Sequence, residues 1–139
     1  MFSRFLSPQG SPISPILFLI YVKDLFPSLV TIVKALSYID DIALVVSITS
    51  LKKNIKILEK EVARLYKLRA TNVIEFDLAK TELLYFSMAK EAKSASLRLP
   101  NQEVVKPKEL VKWLGIWFDP SLLFKQHVAI RTSQARSVL

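Results

Sequence analysis

Cysteine is absent from this chain of 139 residues, which excludes disulfide bonds and thiolate metal sites. The absence agrees with a reducing, intracellular compartment. Acidic residues are also scarce, with 12 Asp and Glu against 20 Lys and Arg, so the net charge is +8. A charge balance this basic favours a polyanionic partner, either a nucleic acid or an anionic membrane surface. Hydrophobic residues make up 51% of the chain, so we expect one folded domain with a core.

A long hydrophobic run is missing as well. The most apolar segment, residues 16–22, is ended by Lys23 and Pro27 well short of the ~20 residues that a bilayer requires. No small-residue cleavage site follows it, so we expect neither a membrane span nor a secretory signal. Ser14 as the N-cap and Pro15 at the first helical position predict a helix over residues 15–26 that is buried on most of its faces.

The rest of the chain predicts an α+β domain. Apolar runs at 35–39 and 42–48, separated by two aspartates, predict a β-hairpin. A helix with one apolar face should begin at Leu51, because its apolar residues recur at three- and four-residue steps. Strands are then predicted at 73–76, 82–86, 96–99, 103–105 and 110–118, with a polar loop at 89–94 and a helix from residue 124 to 139. Helices packed on an antiparallel sheet are the expected architecture.

The helix that begins at Leu51 also carries a basic face, formed by Lys52, Lys53, Lys56, Lys60, Arg64 and Lys67. Such a face is typical of a solvated helix surface, and it is also typical of a nucleic-acid contact. The sequence leaves both interpretations open.

Two adjacent aspartates, Asp40 and Asp41, interrupt the apolar hairpin sequence. Carboxylates beside a buried strand are unfavourable unless a divalent metal or a solvent-facing turn compensates them. Nucleotidyl transfer uses two Mg²⁺ ions ~3.5–4 Å apart, and Mg²⁺ prefers hard oxygen ligands. Neighbouring side chains of a straight strand point to opposite faces, whereas a tight hairpin brings both carboxylates to one edge. The spacing therefore permits a metal site without requiring one. Upstream, Gly10 would allow close approach of the backbone to a ligand.

Several short segments form an ordered set of motifs. Residues 8–15 read PQGSPISP, residues 21–25 read YVKDL, and residues 38–41 read YIDD. Further along the chain, residues 80–86 contain KT and LYF, residues 112–116 read KWLGI, and residues 124–127 read FKQH. In this order they resemble the palm of reverse transcriptases, which are RNA-directed DNA polymerases, and most closely those of non-LTR, LINE-like retrotransposons. The resemblance implies a catalytic β-hairpin at YIDD and the start of a thumb helix near the end of the chain.

The resemblance assigns metal chemistry to the hairpin. Asp40 matches the principal ligand that bridges two Mg²⁺ ions, and Asp41 matches a supporting residue beside them, so these two are the expected catalytic and metal-binding residues. Tyr38 is expected near the primer end or the incoming nucleotide. The implied partners are an RNA template, a DNA primer and deoxynucleoside triphosphates.

The resemblance also assigns roles outside the hairpin. Gln9, Gly10 and Ser11 match residues that line the nucleotide and template pocket. Lys80 would approach the triphosphate as a cation or proton donor. His127, the single histidine, is expected to be structural at the start of the thumb helix.

The sequence departs from the family pattern at its beginning. Leu6 stands where the family usually has glycine, and residues 1–7 contain no counterpart of the first palm motif, which supplies a further metal-binding aspartate. We therefore expect a partial palm over residues 1–118, without fingers, followed over residues 119–139 by the start of the palm-to-thumb connection. Two carboxylates without a third predict weak Mg²⁺ binding and no primer extension by this chain alone. An unpaired sheet edge predicts self-association.

Two other functions fit parts of the sequence. A non-catalytic nucleic-acid-binding remnant would use the basic helix together with Lys106, Lys108 and Lys112. A small membrane-associated protein would use the apolar helix at residues 15–26.

Overall fold

The computed structural model describes residues 13, 16, 20, 32–38, 41–72 and 77–137 of the chain. Helices and antiparallel strands in these ranges confirm the predicted α+β fold class. The chain divides into two compact units, the first formed by Met1–Asp77 with Leu99–Asn101 and the second by Leu78–Arg98 with Gln102–Leu139.

The first unit contains the predicted hairpin, but Asp41 belongs to the second strand and not to the two-residue turn predicted at Asp40 and Asp41. Strand β1 (Val33–Tyr38) pairs antiparallel with strand β2 (Asp41–Val46), in a register that places Val33 opposite Val46 and Tyr38 opposite Asp41. Alternation along the strands puts Val33 and Val46 on one face and Tyr38 and Asp41 on the other. Val33 is buried, with 6% of its surface exposed, so the face that carries it is directed toward the core of this unit.

Helix α1 (Leu51–Asn72) follows the hairpin and begins where the sequence predicts. The side chain of Asn54 accepts a hydrogen bond from the Ile48 N–H and donates one to the Ile48 carbonyl, at 3.1 and 3.3 Å. These bonds fix the entry of the chain into the helix. α1 contacts β2, and Leu65 on its apolar face is 6% exposed.

One charged residue of α1 is buried, which the sequence does not predict. Glu61 is 1% exposed and accepts a hydrogen bond from Nε of Arg64, one helical turn later, at 2.8 Å. Burial of a carboxylate is unfavourable without a partner, and the guanidinium of Arg64 supplies one. Arg64 is therefore directed partly toward the interior of this unit, unlike the lysines of the predicted basic face.

The helix predicted over residues 15–26 falls mostly outside the described residues. Ile16 and Ile20 are described, and both are α-helical. Their side chains are 56% and 54% exposed, so at these two positions the helix is not buried as expected. Among the helices that the structure describes, none combines the length and the apolar character needed to cross a membrane.

The second unit is built from short elements. They are a 3-10 helix (Leu78–Lys80), helix α2 (Lys90–Ser94), strand β3 (Leu97–Arg98), strand β4 (Val104–Val105), strand β5 (Val111–Trp113), strand β6 (Ile116–Phe118) and helix α3 (Lys125–Arg136). The antiparallel pairs are β3 with β4 and β5 with β6. Buried apolar residues in this unit are Leu83, Ala92 and Leu97.

Three predicted segments differ from the structure. Residues 82–86 form a single parallel bridge, Leu83 with Pro107, because Pro107 has no N–H with which to continue a ladder. The segment 89–94 contains the short helix α2 in place of a loop. The predicted strand at 110–118 is a hairpin, since Leu114 and Gly115 have positive φ angles of 48° and 81° and reverse the chain. The predicted strand at 73–76 lies outside the described residues.

The start of α3 is held by one carboxylate. Asp119 accepts hydrogen bonds from the backbone N–H groups of Ser121, Leu123 and Phe124, at 3.0, 3.3 and 2.8 Å, and from the Ser121 hydroxyl. The bond from that hydroxyl is the largest cause that holds the pKa of Asp119 below its ordinary value of 3.8, against a smaller opposing effect of desolvation. The helix predicted from residue 124 is thus present as α3, and its start depends on Asp119.

Candidate functional site

The YIDD segment lies at the closed end of the β1–β2 hairpin. Tyr38 and Asp41 are directly opposite each other and form the last antiparallel pair before the connection. Directly opposite residues have Cβ atoms ~4.5–5.5 Å apart, so a Tyr38 ring and an Asp41 carboxylate can act on the same ligand. Ile39 and Asp40, which connect the two, lie outside the described residues. The structure therefore brings together two of the three predicted site residues of this motif, Tyr38 and Asp41.

Both described side chains face solvent. Tyr38 is 59% exposed and Asp41 is exposed as well. Within the described part of the chain, Asp41 forms no ion pair and accepts no side-chain hydrogen bond. The sequence leaves open whether a metal or solvent compensates the charge of the Asp41 carboxylate. This carboxylate is tolerated because it is solvated, and it needs no metal for that purpose.

The face that carries the Tyr38–Asp41 pair is open along the hairpin. On this face, Leu36 of β1 is 47% exposed and Val45 of β2 is 38% exposed. Lys34, paired with Val45, is exposed at the far end. An accessible, partly apolar strand surface with a carboxylate at one end and a lysine at the other can accept an extended ligand.

The donor chemistry of the turn suits a hard cation. Carboxylate oxygens are ligands that Mg²⁺ accepts while it keeps several waters, and an exposed Asp41 leaves room for those waters. A group of three or more His, Cys, Asp or Glu side chains that could hold a metal does not occur among the described residues. Asp41 fits a Mg²⁺ site as one contributor within a larger ligand set.

The other predicted site residues are distributed differently. Gln9, Gly10 and Ser11 lie outside the described residues. Lys80 is exposed at the end of the 3-10 helix of the second unit, where the Thr81 N–H donates a 3.0 Å hydrogen bond to the Leu78 carbonyl. Lys80 is thus the last residue of a short helix.

His127 has the structural role that the sequence predicts. It lies in the first turn of α3, and its Nδ1 accepts a hydrogen bond from the backbone N–H of Trp117 on β6, at 3.3 Å. A second bond from the same helix links Arg131 to the carbonyl of Gly115 in the β5–β6 turn. These two bonds fasten α3 to the β5–β6 hairpin.

Two of the lysines proposed for a nucleic-acid-binding remnant have other partners. Lys108 forms an ion pair with Glu82. The ammonium group of Lys112 lies 5.6 Å from the ring centroid of Trp117, within the range of a cation–π contact. Lys106 is exposed.

Asp119 is an important residue that the sequence reasoning missed. Its signal is the Asp119-Pro120-Ser121 tripeptide, which is typical of a turn in which the aspartate accepts nearby N–H groups. Its role is to position α3, not to bind a ligand, because its oxygens are already occupied by four hydrogen bonds.

Comparison with known proteins gives one match. The family model described as reverse transcriptase (RNA-dependent DNA polymerase) matches residues 2–118. No curated protein and no solved structure matches the chain significantly. Because the family model covers most of the sequence and includes the β1–β2 hairpin with its YIDD segment, the chain belongs to the reverse transcriptase family.

Proposed function

We propose that this chain is the part of a reverse transcriptase palm that carries the Asp-Asp turn, from the non-LTR, LINE-like branch. The observation that carries the proposal is the pairing of Tyr38 with Asp41 at the end of an exposed antiparallel hairpin, within the family match. The motif requires a turn at this place, and a register shifted by one residue would put Tyr38 and Asp41 on opposite faces. The ordered KWLGI and FKQH segments support the LINE-like assignment.

The proposed chemistry is template-directed nucleotidyl transfer. Two Mg²⁺ ions would activate the attacking 3′ oxygen of the primer and stabilise the leaving pyrophosphate. Asp40 and Asp41 would supply carboxylate oxygens to them, with Asp40 as the principal ligand. Tyr38, on the same face as Asp41, would orient the primer end or the incoming nucleotide.

The remaining site residues would position the substrates. Gln9, Gly10 and Ser11 would line the pocket for the nucleotide and the template. Lys80 would approach the triphosphate, for which its exposed position is suitable. The RNA template, the DNA primer and the deoxynucleoside triphosphates are the proposed partners, and the lack of cysteine supports an intracellular location.

We also propose a division of the chain at residue 118, where the family match ends. Residues 1–118 would form the partial palm. Residues 119–139 would form the start of the palm-to-thumb connection. Its helix would be α3, and the carboxylate of Asp119 would hold the backbone of Phe124 just before that helix.

Charge balance limits what the 139-residue chain does by itself. Two carboxylates carry two negative charges, whereas two Mg²⁺ ions carry four positive charges. A third carboxylate would hold both ions more firmly. We therefore expect weak Mg²⁺ binding at the turn and no primer extension by this chain alone.

The experiment combines a binding assay with an activity assay. Mg²⁺ titration by calorimetry should show weak binding to the wild type and loss of that binding in Asp40→Asn/Asp41→Asn. The matched control is Asp77→Asn/Glu103→Gln, which removes the same charge from two exposed positions and should bind Mg²⁺ as the wild type does. Equal loss in both variants would refute a site at the turn. Incorporation of labelled nucleotide on an RNA template, abolished by Asp40→Ala, would contradict the expected inactivity.

A further inference from the structure

Five lysines of α1 form a continuous stripe, which we call the α1 stripe: Lys52, Lys53, Lys56, Lys60 and Lys67. All five are exposed. At ~100° per residue they fall within a sector of about 100°, and the apolar face of α1 lies nearly opposite. The stripe extends for about 22 Å, at ~1.5 Å per residue.

Within the described ranges, no ion pair neutralises the positive charge of the stripe, although Glu59 lies at its edge. None of its five lysines forms an ion pair with any residue that the structure describes. Glu61, a nearby acid of the same helix, is buried and paired with Arg64. The lysines are also arranged unfavourably for the free helix, because Lys52, Lys56 and Lys60 follow one another at four-residue steps, where like charges repel. An anionic partner along the helix would relieve this repulsion.

We propose that the α1 stripe binds the phosphate backbone of a nucleic acid, independently of metal and of the Tyr38–Asp41 turn. A row of point charges over about 22 Å matches a chain of evenly spaced phosphates. Lysine ammonium groups lack the planar fork with which arginine reads base edges or holds one phosphate in a fixed geometry. The interaction therefore positions nucleic acid without reading its sequence.

The structure favours a nucleic acid over an anionic membrane. A helix that binds a membrane surface inserts its apolar face into the lipid while its basic face contacts the headgroups. α1 contacts β2, and Leu65 of its apolar face is buried. Ile55, Leu58 and Val62 are partly buried, so this face is not free for insertion. Electrostatic attraction by the lysines is therefore the available mode of binding, and their linear arrangement fits a polyanionic chain.

The test is a salt titration of binding by fluorescence anisotropy, with labelled single-stranded RNA and labelled duplex DNA as probes and with EDTA present. The stripe variant is Lys52→Gln/Lys56→Gln/Lys60→Gln. A plot of log affinity against log salt should be less steep for this variant than for the wild type. Loss of three phosphate contacts should reduce the magnitude of the slope by about 2 for RNA, at ~0.7 per contact, and by about 3 for duplex DNA, at ~0.9 per contact. Affinity at about 50 mM salt should fall roughly tenfold or more.

The matched control is Lys90→Gln/Lys93→Gln/Lys125→Gln, which removes three exposed lysines of the second unit. It should keep the wild-type slope. Equal loss in both triple variants would overturn the proposal, because net charge alone would then explain binding. Binding to vesicles that contain phosphatidylserine, without binding to either nucleic acid, would overturn it in favour of a membrane.

The proposal can fail separately from the proposed function. Asp40→Asn/Asp41→Asn should leave nucleic-acid binding and its salt slope unchanged, because the stripe acts without metal. A loss of binding in this variant, with the stripe variant unaffected, would place the nucleic-acid contact at the turn and overturn the role of the stripe. Circular dichroism of each variant shows whether α1 is retained, and a lower melting temperature in the stripe variant would also count against a surface role.

Discussion

The buried ion pair of α1 predicts an asymmetric response to mutation. Glu61 is 1% exposed at its side chain and Arg64 is 25% exposed. Arg64→Ala leaves a carboxylate buried without its cation, which costs about 3–5 kcal/mol of unfolding free energy. Glu61→Ala leaves an arginine whose side chain is 25% exposed, so its cost should be smaller, about 1–3 kcal/mol for the lost charged hydrogen bond.

A third variant separates the two contributions. Glu61→Leu/Arg64→Leu removes both charges together and supplies apolar side chains that favour a helix. Because no uncompensated charge remains, the double variant should be more stable than Arg64→Ala, and within about 1–2 kcal/mol of the wild type.

The assay is urea denaturation of the 139-residue chain, followed by circular dichroism at the helical signal, with the two single variants and the double variant measured side by side. An order in which Glu61→Ala is more destabilising than Arg64→Ala would refute the reasoning from burial. So would a double variant that is no more stable than Arg64→Ala, because removing both charges together leaves no uncompensated charge in the interior.

Three further outcomes follow from the structure. Gly115→Ala should lower the unfolding free energy by about 1–2 kcal/mol, because φ at this position is +81° and the new Cβ would lie 3.3 Å from a guanidinium nitrogen of Arg131. Leu114→Gly in the same turn is the control, because it adds no Cβ at a positive φ. The lowered pKa of Asp119 means that its carboxylate stabilises the fold above its ordinary pKa of 3.8 and that this contribution is lost as pH falls through the lowered value; melting curves between neutral and acid pH should show a smaller acid-induced decrease in Asp119→Asn than in the wild type. The stripe variant of α1 should be more stable than the wild type by about 0.4–1 kcal/mol at low salt, because two like-charge contacts are removed, and the gain should disappear at high salt.

Much of the first unit could be predicted from local sequence. The Asp-Asp interruption marks the hairpin because apolar strands on both sides require a turn between them, and α1 is visible in its apolar spacing. Burial of Glu61 could not be predicted, because its spacing from Arg64 is equally typical of an exposed pair on a helix surface. Whether such a pair lies inside or outside depends on what packs against the helix.

The second unit was harder to predict for a similar reason. Residues 110–118 have the composition of one strand, and the reversal inside it places Leu114 at a positive φ that leucine rarely adopts. The two bonds from α3, to the backbone of Trp117 and of Gly115, support this turn from a distant part of the sequence. Contacts of that kind leave no signal in a local window.

The residues of the candidate site could be predicted from the sequence motif, but their positions relative to one another in space could not. The YIDD letters point to the turn, and the structure adds that Tyr38 and Asp41 face each other in solvent. The energetic premise that both carboxylates lie beside a buried strand is wrong for Asp41, since the face that carries it is open. A metal at this turn is thus a functional expectation and not a requirement of folding.

The most direct test of the central claim is paramagnetic mapping of the turn, with Mn²⁺ as a substitute for Mg²⁺. If the YIDD turn is the metal site, the amide signals of Tyr38 and Asp41 should broaden first in the titration, and the effect should vanish in Asp40→Asn/Asp41→Asn. Asp119 is the internal control, because its side chain is partly exposed but its carboxylate is occupied by four hydrogen bonds. Broadening that is equal at Asp119 and at the turn, or that persists in the double variant, would contradict the account.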